Sequence, residues 1–497
     1  MLSTACWKRN GLFVSAVLVL GGVVACRGPV YFPDPAGTRR ESGETVYAYD
    51  TDHDGVTDYW QYRPDDGRKT ALAWLDHATG RPGPRLELDA ITADACPHYI
   101  IVLDGVPFEI VEQLYREGHF RLFRPPSRVI CCYPAMTDLA LSQFFHSEPC
   151  DGYEAVYYDR VAGKVRGGTA DYLSGKAAPW LSRVDYRCSM WLDGQSYLDP
   201  QSLFEHELRG FVNTLRRHET GQAVVYSVGS AGLGTRGGRD AIAAYLRTID
   251  RLCEQIVYER RGRVKITVTA DHGHNLVHNE RVSFRETLAQ GGYHVTKALH
   301  HQNDVVEIAY GLVTYAAFYT DDKPGVARCL LEHEAVAFTC YADGDAVVVC
   351  DRDGTARITK AEGGYVYDAH AGDPLKLAGI IAKLRSAGKV SPAGVIDEPA
   401  MFAATVEHEY PDPLDRLWFA FHGLVRDPAD VIANLRDGWC HGSKFFYTMI
   451  GGDVASTHGS LNRINSTTFV MTMLGDLPSA MRSRDVLPAL EKLRKRR

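Results

Sequence analysis

Two short apolar runs in this chain end in aspartate, and that pattern constrains the fold strongly. Ile101-Val102-Leu103 leads into Asp104-Gly105, and Thr267-Val268-Thr269-Ala270 leads into Asp271-His272-Gly273. Short unbroken apolar runs of this kind read as strands buried on both faces, the kind found in parallel sheets covered by helices. In an open parallel sheet ligands gather beyond the carboxyl ends of the strands, so a carboxylate there reads as a ligand or a helix cap. The neighbouring pattern agrees. Strand-like runs occupy residues 99–103, 127–132, 223–228 and 264–269, and helical patterns occupy 107–116, 137–145, 200–217 and 239–259. The expected class is α/β, a mostly parallel central sheet sandwiched by helices over residues 96–480, with an insertion at 147–199 rich in Gly, Tyr and Trp. Later stretches predict short strands across 320–400, a turn at Asp351–Gly354, a helix near 375–385, and strands at 444–450 and 467–473.

The same two strand ends carry the chemistry. Asp271 and His272 offer an oxygen and a nitrogen to one metal ion, and Asp104 offers a second carboxylate. Between them lies Tyr133-Pro134-Ala135-Met136-Thr137, with the threonine at the start of a helix. By itself Thr137 reads as a helix cap. The ordered set resembles the alkaline phosphatase superfamily, nearest to its phosphodiesterase and nucleotide-pyrophosphatase branch. That resemblance covers about residues 98–475 and implies a metal held by Asp104, Thr137, Asp271 and His272, with Thr137 as nucleophile. A hydroxyl is a poor nucleophile until a metal lowers its pKa. The donor set implies one zinc or a similar divalent transition metal. Ser456-Thr457-His458-Gly459-Ser460 matches the remaining family histidine, so His458 is a second catalytic candidate.

One departure stands out. Two-metal relatives carry Asp-x-x-Gly-His after a middle strand, whereas this chain reads Tyr226-Ser-Val-Gly229-Ser-Ala231-Gly-Leu233-Gly-Thr235. Neither alignment, on Gly229 and Leu233 or on Ala231 and Thr235, supplies a zinc ligand pair. Three explanations stay open. The site uses one metal, as in the phosphoethanolamine transferases it then resembles, with His458 touching the transferred group or acting as general acid. Alternatively His274 or His278 rebuilds a second site, or catalysis is lost and the fold binds a ligand. Arg236 and Arg239, in what reads as a glycine-rich loop, could contact phosphate in place of the lost metal. The glycines partly mimic a dinucleotide fingerprint, but no acidic residue ends a following strand, and that reading is discarded.

The leading functional reading is a metal-dependent hydrolase or transferase acting on a phosphate or related ester. The second is a catalytically inactive phosphatase-fold lipoprotein serving as a binding or scaffold protein. With Lys+Arg 55 against Asp+Glu 62 and no clustered basic face, nucleic acid is not an expected partner. A small phosphate ester or an envelope lipid is the expected substrate.

The start of the chain reads as an address. Lys8 and Arg9 precede the apolar run 12–20, and residues 1–25 fit a signal peptide. Val23-Val24-Ala25-Cys26 resembles a bacterial lipobox, implying an acylated Cys26 and a protein anchored in the cell envelope, at the outer membrane or periplasmic face. Residues 26–95 are polar and read as a tether with a small module. Within them Asp50, Asp52, Asp54 and Asp58 surround Gly55, the pattern of a calcium loop. Residues 481–497 read as a basic, solvated tail. Ten cysteines follow Cys26, without a Cys-x-x-Cys pair, so a thiolate zinc site is not expected and disulfide pairing stays open. If Cys26 carries the anchor, Cys26→Ser should move the protein from the membrane to the soluble fraction or block its processing. A serine variant still processed and wholly membrane-bound contradicts the anchor.

Overall fold

The computed structural model describes residues 28–65 and 67–495. The signal-like run and Cys26 lie outside the described residues. Among the described residues no helix is long and apolar enough to cross a membrane.

The central sheet has six strands in the order Gln222–Ser227, His98–Leu103, Lys265–Ala270, Thr467–Thr472, Ser127–Ile130 and Ala480–Arg482. All run parallel except Thr467–Thr472, which is antiparallel to both neighbours. The expected α/β class is what the chain adopts. Alternation explains the layers. Tyr99, Ile101 and Leu103 enter one core with Phe108, Phe211 and Ile249, while Ile100 and Val102 enter another with Leu141, Trp180 and Leu203. Both strand faces are therefore covered. The register pairs Ala270 with Leu103 and Ser227 with Leu103, so Asp104 and Asp271 emerge side by side at the same end.

Several elements differ from the sequence reading. The short strands of 320–400 join others into a nine-stranded, mainly antiparallel sheet that also takes in Asp304–Ile308, Tyr315–Thr320 and Val431–Leu435. The pairing of Val431–Leu435 between Tyr315–Thr320 and Val336–Asp343 is long-range and leaves little local trace. Residues 444–450, expected as a strand, form the helix Lys444–Met449, because the Ser443 hydroxyl caps Phe446 N–H at 3.2 Å.

The glycine-rich stretch is not a loop. It is the first part of the helix Gly229–Glu259, which bends at Gly238, where φ is +59°. Its glycines serve close approach. A Cβ at Gly232 would lie 2.0 Å from the Ser196 carbonyl oxygen, and one at Gly229 would lie 2.6 Å from Glu207 Oε2.

The described residues between 28 and 95 carry the small module as a sheet. Strands Gly37–Glu41, Glu44–Tyr49, Tyr59–Pro64 and Ala71–Asp76 build an antiparallel sheet against the long helix. Lys69 pairs with Glu254 at 2.6 Å in that interface, both nearly buried. Asp50, Asp52 and Asp54 gather their carboxylates within 4.8 Å of one another at the Gly55 turn. Asp58 drops out of the expected set. It lies past the turn, where it accepts from the Thr51 N–H at 2.9 Å and from the Thr51 hydroxyl.

The expected basic tail is mostly a docked helix, Ser483–Arg494, with Val486 and Leu490 buried. Arg482 and Arg484 anchor it on Asp412 and Asp415 at 2.6 and 2.8 Å. All ten cysteines from Cys96 to Cys440 are free thiols, nine of them buried.

Glu207 ties the start of the long helix to the helix Pro200–Arg217. Its carboxyl accepts from the Ser227 hydroxyl at 2.5 Å and from the N–H groups of Val228 and Gly229 at 2.9 and 3.0 Å. Burial raises its pKa from 4.5 to about 7, outweighing those bonds. The folded state thus favours protonated Glu207. The stability this lends is full below the unfolded pKa and is lost as pH rises through about 7. Glu207→Gln should reduce the fall in melting temperature between about pH 5 and about pH 8 by a few °C. An unchanged pH slope contradicts this role.

Candidate metal centre and its pocket

Asp104, Asp271 and His272 meet at the carboxyl ends of the two central strands, with their ligand atoms all within 4.8 Å of one another. All three are buried. Thr137 opens the helix Thr137–Phe144 and faces them, its Oγ1 3.2 Å from His272 Nε2 and 3.5 Å from Asp104 Oδ1. The four expected ligands are therefore brought together.

Each has one atom committed elsewhere and one left for the centre. His272 Nδ1 donates to the Gly273 carbonyl at 2.9 Å, which leaves Nε2 as the inward lone pair. Asp271 Oδ1 accepts from the N–H groups of Gly105 and His272 at 2.9 and 2.8 Å, while its buried Oδ2 has no hydrogen-bond partner. Asp104 Oδ2 accepts the Tyr226 hydroxyl at 2.5 Å, leaving Oδ1 beside Thr137. Tyr226 escaped notice in the sequence as a site residue. Its only signal was its place near the end of the middle strand, where it pairs with Val102.

The electrostatics call for a cation. Burial raises Asp271 to about 7, against the pull of its two N–H bonds. Burial first, and the charge of Asp271 second, push Asp104 well above the carboxylate range. His272 is lowered to about 4 by burial and stays neutral. Two buried carboxylates, a neutral imidazole with its lone pair inward and an orphaned carboxylate oxygen form a donor set that a divalent transition metal satisfies.

Among the described residues no second centre assembles. Gly229, Ala231, Leu233 and Thr235 are buried in helix and offer no ligand set. His458 stacks on His272 with ring centroids 4.0 Å apart, and its Nδ1 faces the Ala135 carbonyl at 2.8 Å. His274 is buried beside it, its Nδ1 3.1 Å from Ser456 Oγ and its Nε2 without a partner. His278 is exposed near Asp453. Among the described residues, the only groups of three metal-ligating side chains are Asp104–Asp271–His272 and the surface loop Asp50–Asp52–Asp54.

The two expected phosphate contacts are corrected. Arg236 donates to the carbonyls of Ile450 and Asp453 at 2.6 and 2.9 Å, and Arg239 donates to Gln113 Oε1 at 3.0 Å. The helical path through the glycines carries both away from the cavity. The arginine that lines it is Arg187, from the 147–199 insertion.

No family model matches the chain, and no curated protein matches it. Among solved structures it is similar to human ectonucleotide pyrophosphatase/phosphodiesterase 5, with a TM-score of 0.43 and 11% identity over 80% of this chain and 94% of that one. It is also similar to phosphonoacetate hydrolase from Sinorhizobium meliloti 1021 in complex with phosphonoacetate, with a TM-score of 0.42 and 12% identity over 86% of this chain and all of that one. Both likenesses are distant, and the chemistry is read from the side chains themselves.

The donor set predicts one tightly held transition-metal ion per chain, measurable by elemental analysis of purified protein. Asp271→Asn, which removes the inward oxygen's charge, should lose it. Two equivalents of metal contradict the single centre.

Proposed function

We propose that this protein is a metal-dependent hydrolase or transferase of a phosphate or related ester, with Thr137 as nucleophile. One observation carries the reading. Asp104 Oδ1, Asp271 Oδ2, His272 Nε2 and Thr137 Oγ1 face one another once their residues' other hydrogen bonds are counted, and Asp104 and Thr137 line the cavity beside them. A zinc ion held by these residues would lower the pKa of the threonine hydroxyl and neutralise charge on the ester.

The chain's own groups do the rest. Thr137 presents its oxygen at a helix N-terminus, where first-turn N–H groups suit a phosphoryl oxygen. Thr137 Oγ1 would form the new bond to phosphorus as the ester oxygen leaves. Water or a second alcohol would then release the group, giving hydrolysis or transfer. His272 is fixed by the Gly273 carbonyl and Asp104 by Tyr226, so neither must reorganise. His458 is held neutral by burial and by the neighbouring His272. A neutral imidazole there suits contact with the transferred group or acceptance of a proton better than acid catalysis.

An envelope location is part of the proposal and rests on the Cys26 segment alone. The scaffold reading is favoured by the missing second ligand set, and metal content separates the two.

Thr137→Ala should cut turnover of a 4-nitrophenyl phosphoester by at least about 10³-fold while keeping the metal. His458→Ala should lower turnover with the metal retained. Full activity in Thr137→Ala contradicts the nucleophile. A metal-free protein on which added zinc restores no activity favours the scaffold.

A further inference from the structure

The cavity beside Thr137 holds about 620 Å³, much more than a phosphoryl group fills. Each of its charged walls already has at least one protein partner. Asp138 accepts from Trp180 Nε1 at 2.8 Å, and Glu154 accepts the Gly311 N–H at 2.6 Å. Asp193 accepts from Arg187 and from the Tyr172 hydroxyl, each at 2.5 Å. Asp104 is engaged by Tyr226, and His458 by the Ala135 carbonyl. Beside the hydroxyls of Tyr197, Tyr310 and Ser443, the lining includes the apolar Met136, Leu173, Met190, Trp191, Phe445 and Met449.

The rim is unusual in the same direction. Trp191 is 75% exposed and Phe445 79%, on two elements far apart in the chain that meet at one opening. Large apolar side chains left in water around a cavity mark a binding surface more often than a structural one. A sugar or a base would bring hydrogen-bonding groups into a space whose charged walls already have partners, and each unmet group opposes binding. An alkyl or aryl group would not incur that cost, and it would cover the rim.

We propose that this cavity binds an extended apolar group, alkyl or aryl, on the ester whose phosphoryl end reaches Thr137. This rests on the hydrolase or transferase reading above. Trp191 and Phe445 then act as specificity residues. They flank the apolar group without touching the reacting atoms.

Two measurements on the full chain test it. In calorimetry, n-octylphosphonate should bind at least about tenfold more tightly than methylphosphonate, since each buried methylene contributes up to about fourfold. Trp191→Ala with Phe445→Ala should bring that ratio toward one, and at such exposed positions the double variant should stay folded. Equal binding of the two phosphonates, or binding of neither, overturns the proposal. In turnover, kcat/KM for alkyl 4-nitrophenyl phosphodiesters should rise with chain length from ethyl to octyl. Turnover without that rise overturns the apolar pocket and leaves Thr137 as nucleophile. No turnover of any ester, with the octylphosphonate preference intact, overturns the catalytic reading and supports the pocket.

Discussion

Two carboxylates that would repel each other in an apolar interior sit at the ends of adjacent parallel strands, and much of the surrounding architecture serves to hold them there. The register that pairs Ala270 with Leu103 puts Asp271 beside Asp104, and Gly105 N–H bridges to Asp271 Oδ1 at 2.9 Å. Both aspartate segments run on through a glycine for a steric reason. A Cβ at Gly105, where φ is +66°, would meet His274 Nε2 at 2.4 Å, and one at Gly273 would meet the Ile464 carbonyl oxygen at 1.9 Å. Neither carboxylate has an arginine or lysine of its own against it among the ion pairs, only the neutral His272 at 3.7 and 3.5 Å. Two buried aspartates left this way are costly to ionise unless a cation completes them, so energetics and geometry both mark the centre as a candidate metal site.

Along the start of the long helix, the chain has chosen packing. Glycines at 229, 232 and 234 bring the long helix close to Glu207, Ser196 and His274. Tyr226 reaches Asp104 from the middle strand, and Glu207 closes the helix start. A carboxylate or imidazole on this surface would need room that the neighbours occupy. The result is a centre with one complete donor set, flanked by two further buried imidazoles, His274 and His458. The cavity beside it owes its walls to the 147–199 insertion, to the helix Lys444–Met449 and to the edge of the main sheet.

The central sheet and the three donors Asp104, Asp271 and His272 were legible because they depend on local pattern, whereas Thr137 joined them only through the family resemblance. An apolar run buried on two faces needs no partner to be recognised, and Asp104, Thr137, Asp271 and His272 each sit where a strand ends or a helix begins. The strands of 320–400 were legible as local hairpins, but their union with Tyr315–Thr320 was hidden, because it runs through Val431–Leu435, far along the chain. The helix 444–449 was misread, since aromatic residues in a row look like a strand until Ser443 is seen to cap them. The glycine-rich stretch was misread for a related reason: glycine marks either a turn or a close approach, and only the neighbour decides which.

Sequence by itself determined the strand ends and the order of the donors, since each follows from residue identity at one place in the chain. Only the tertiary structure decided that Tyr226 holds Asp104, that Arg236 and Arg239 turn away while Arg187 enters, and that Trp191 and Phe445 face one opening. Those facts depend on which distant segments pack together. Contacts between residues far apart in the chain are fixed by the folding of the whole core, and no short stretch of sequence contains them.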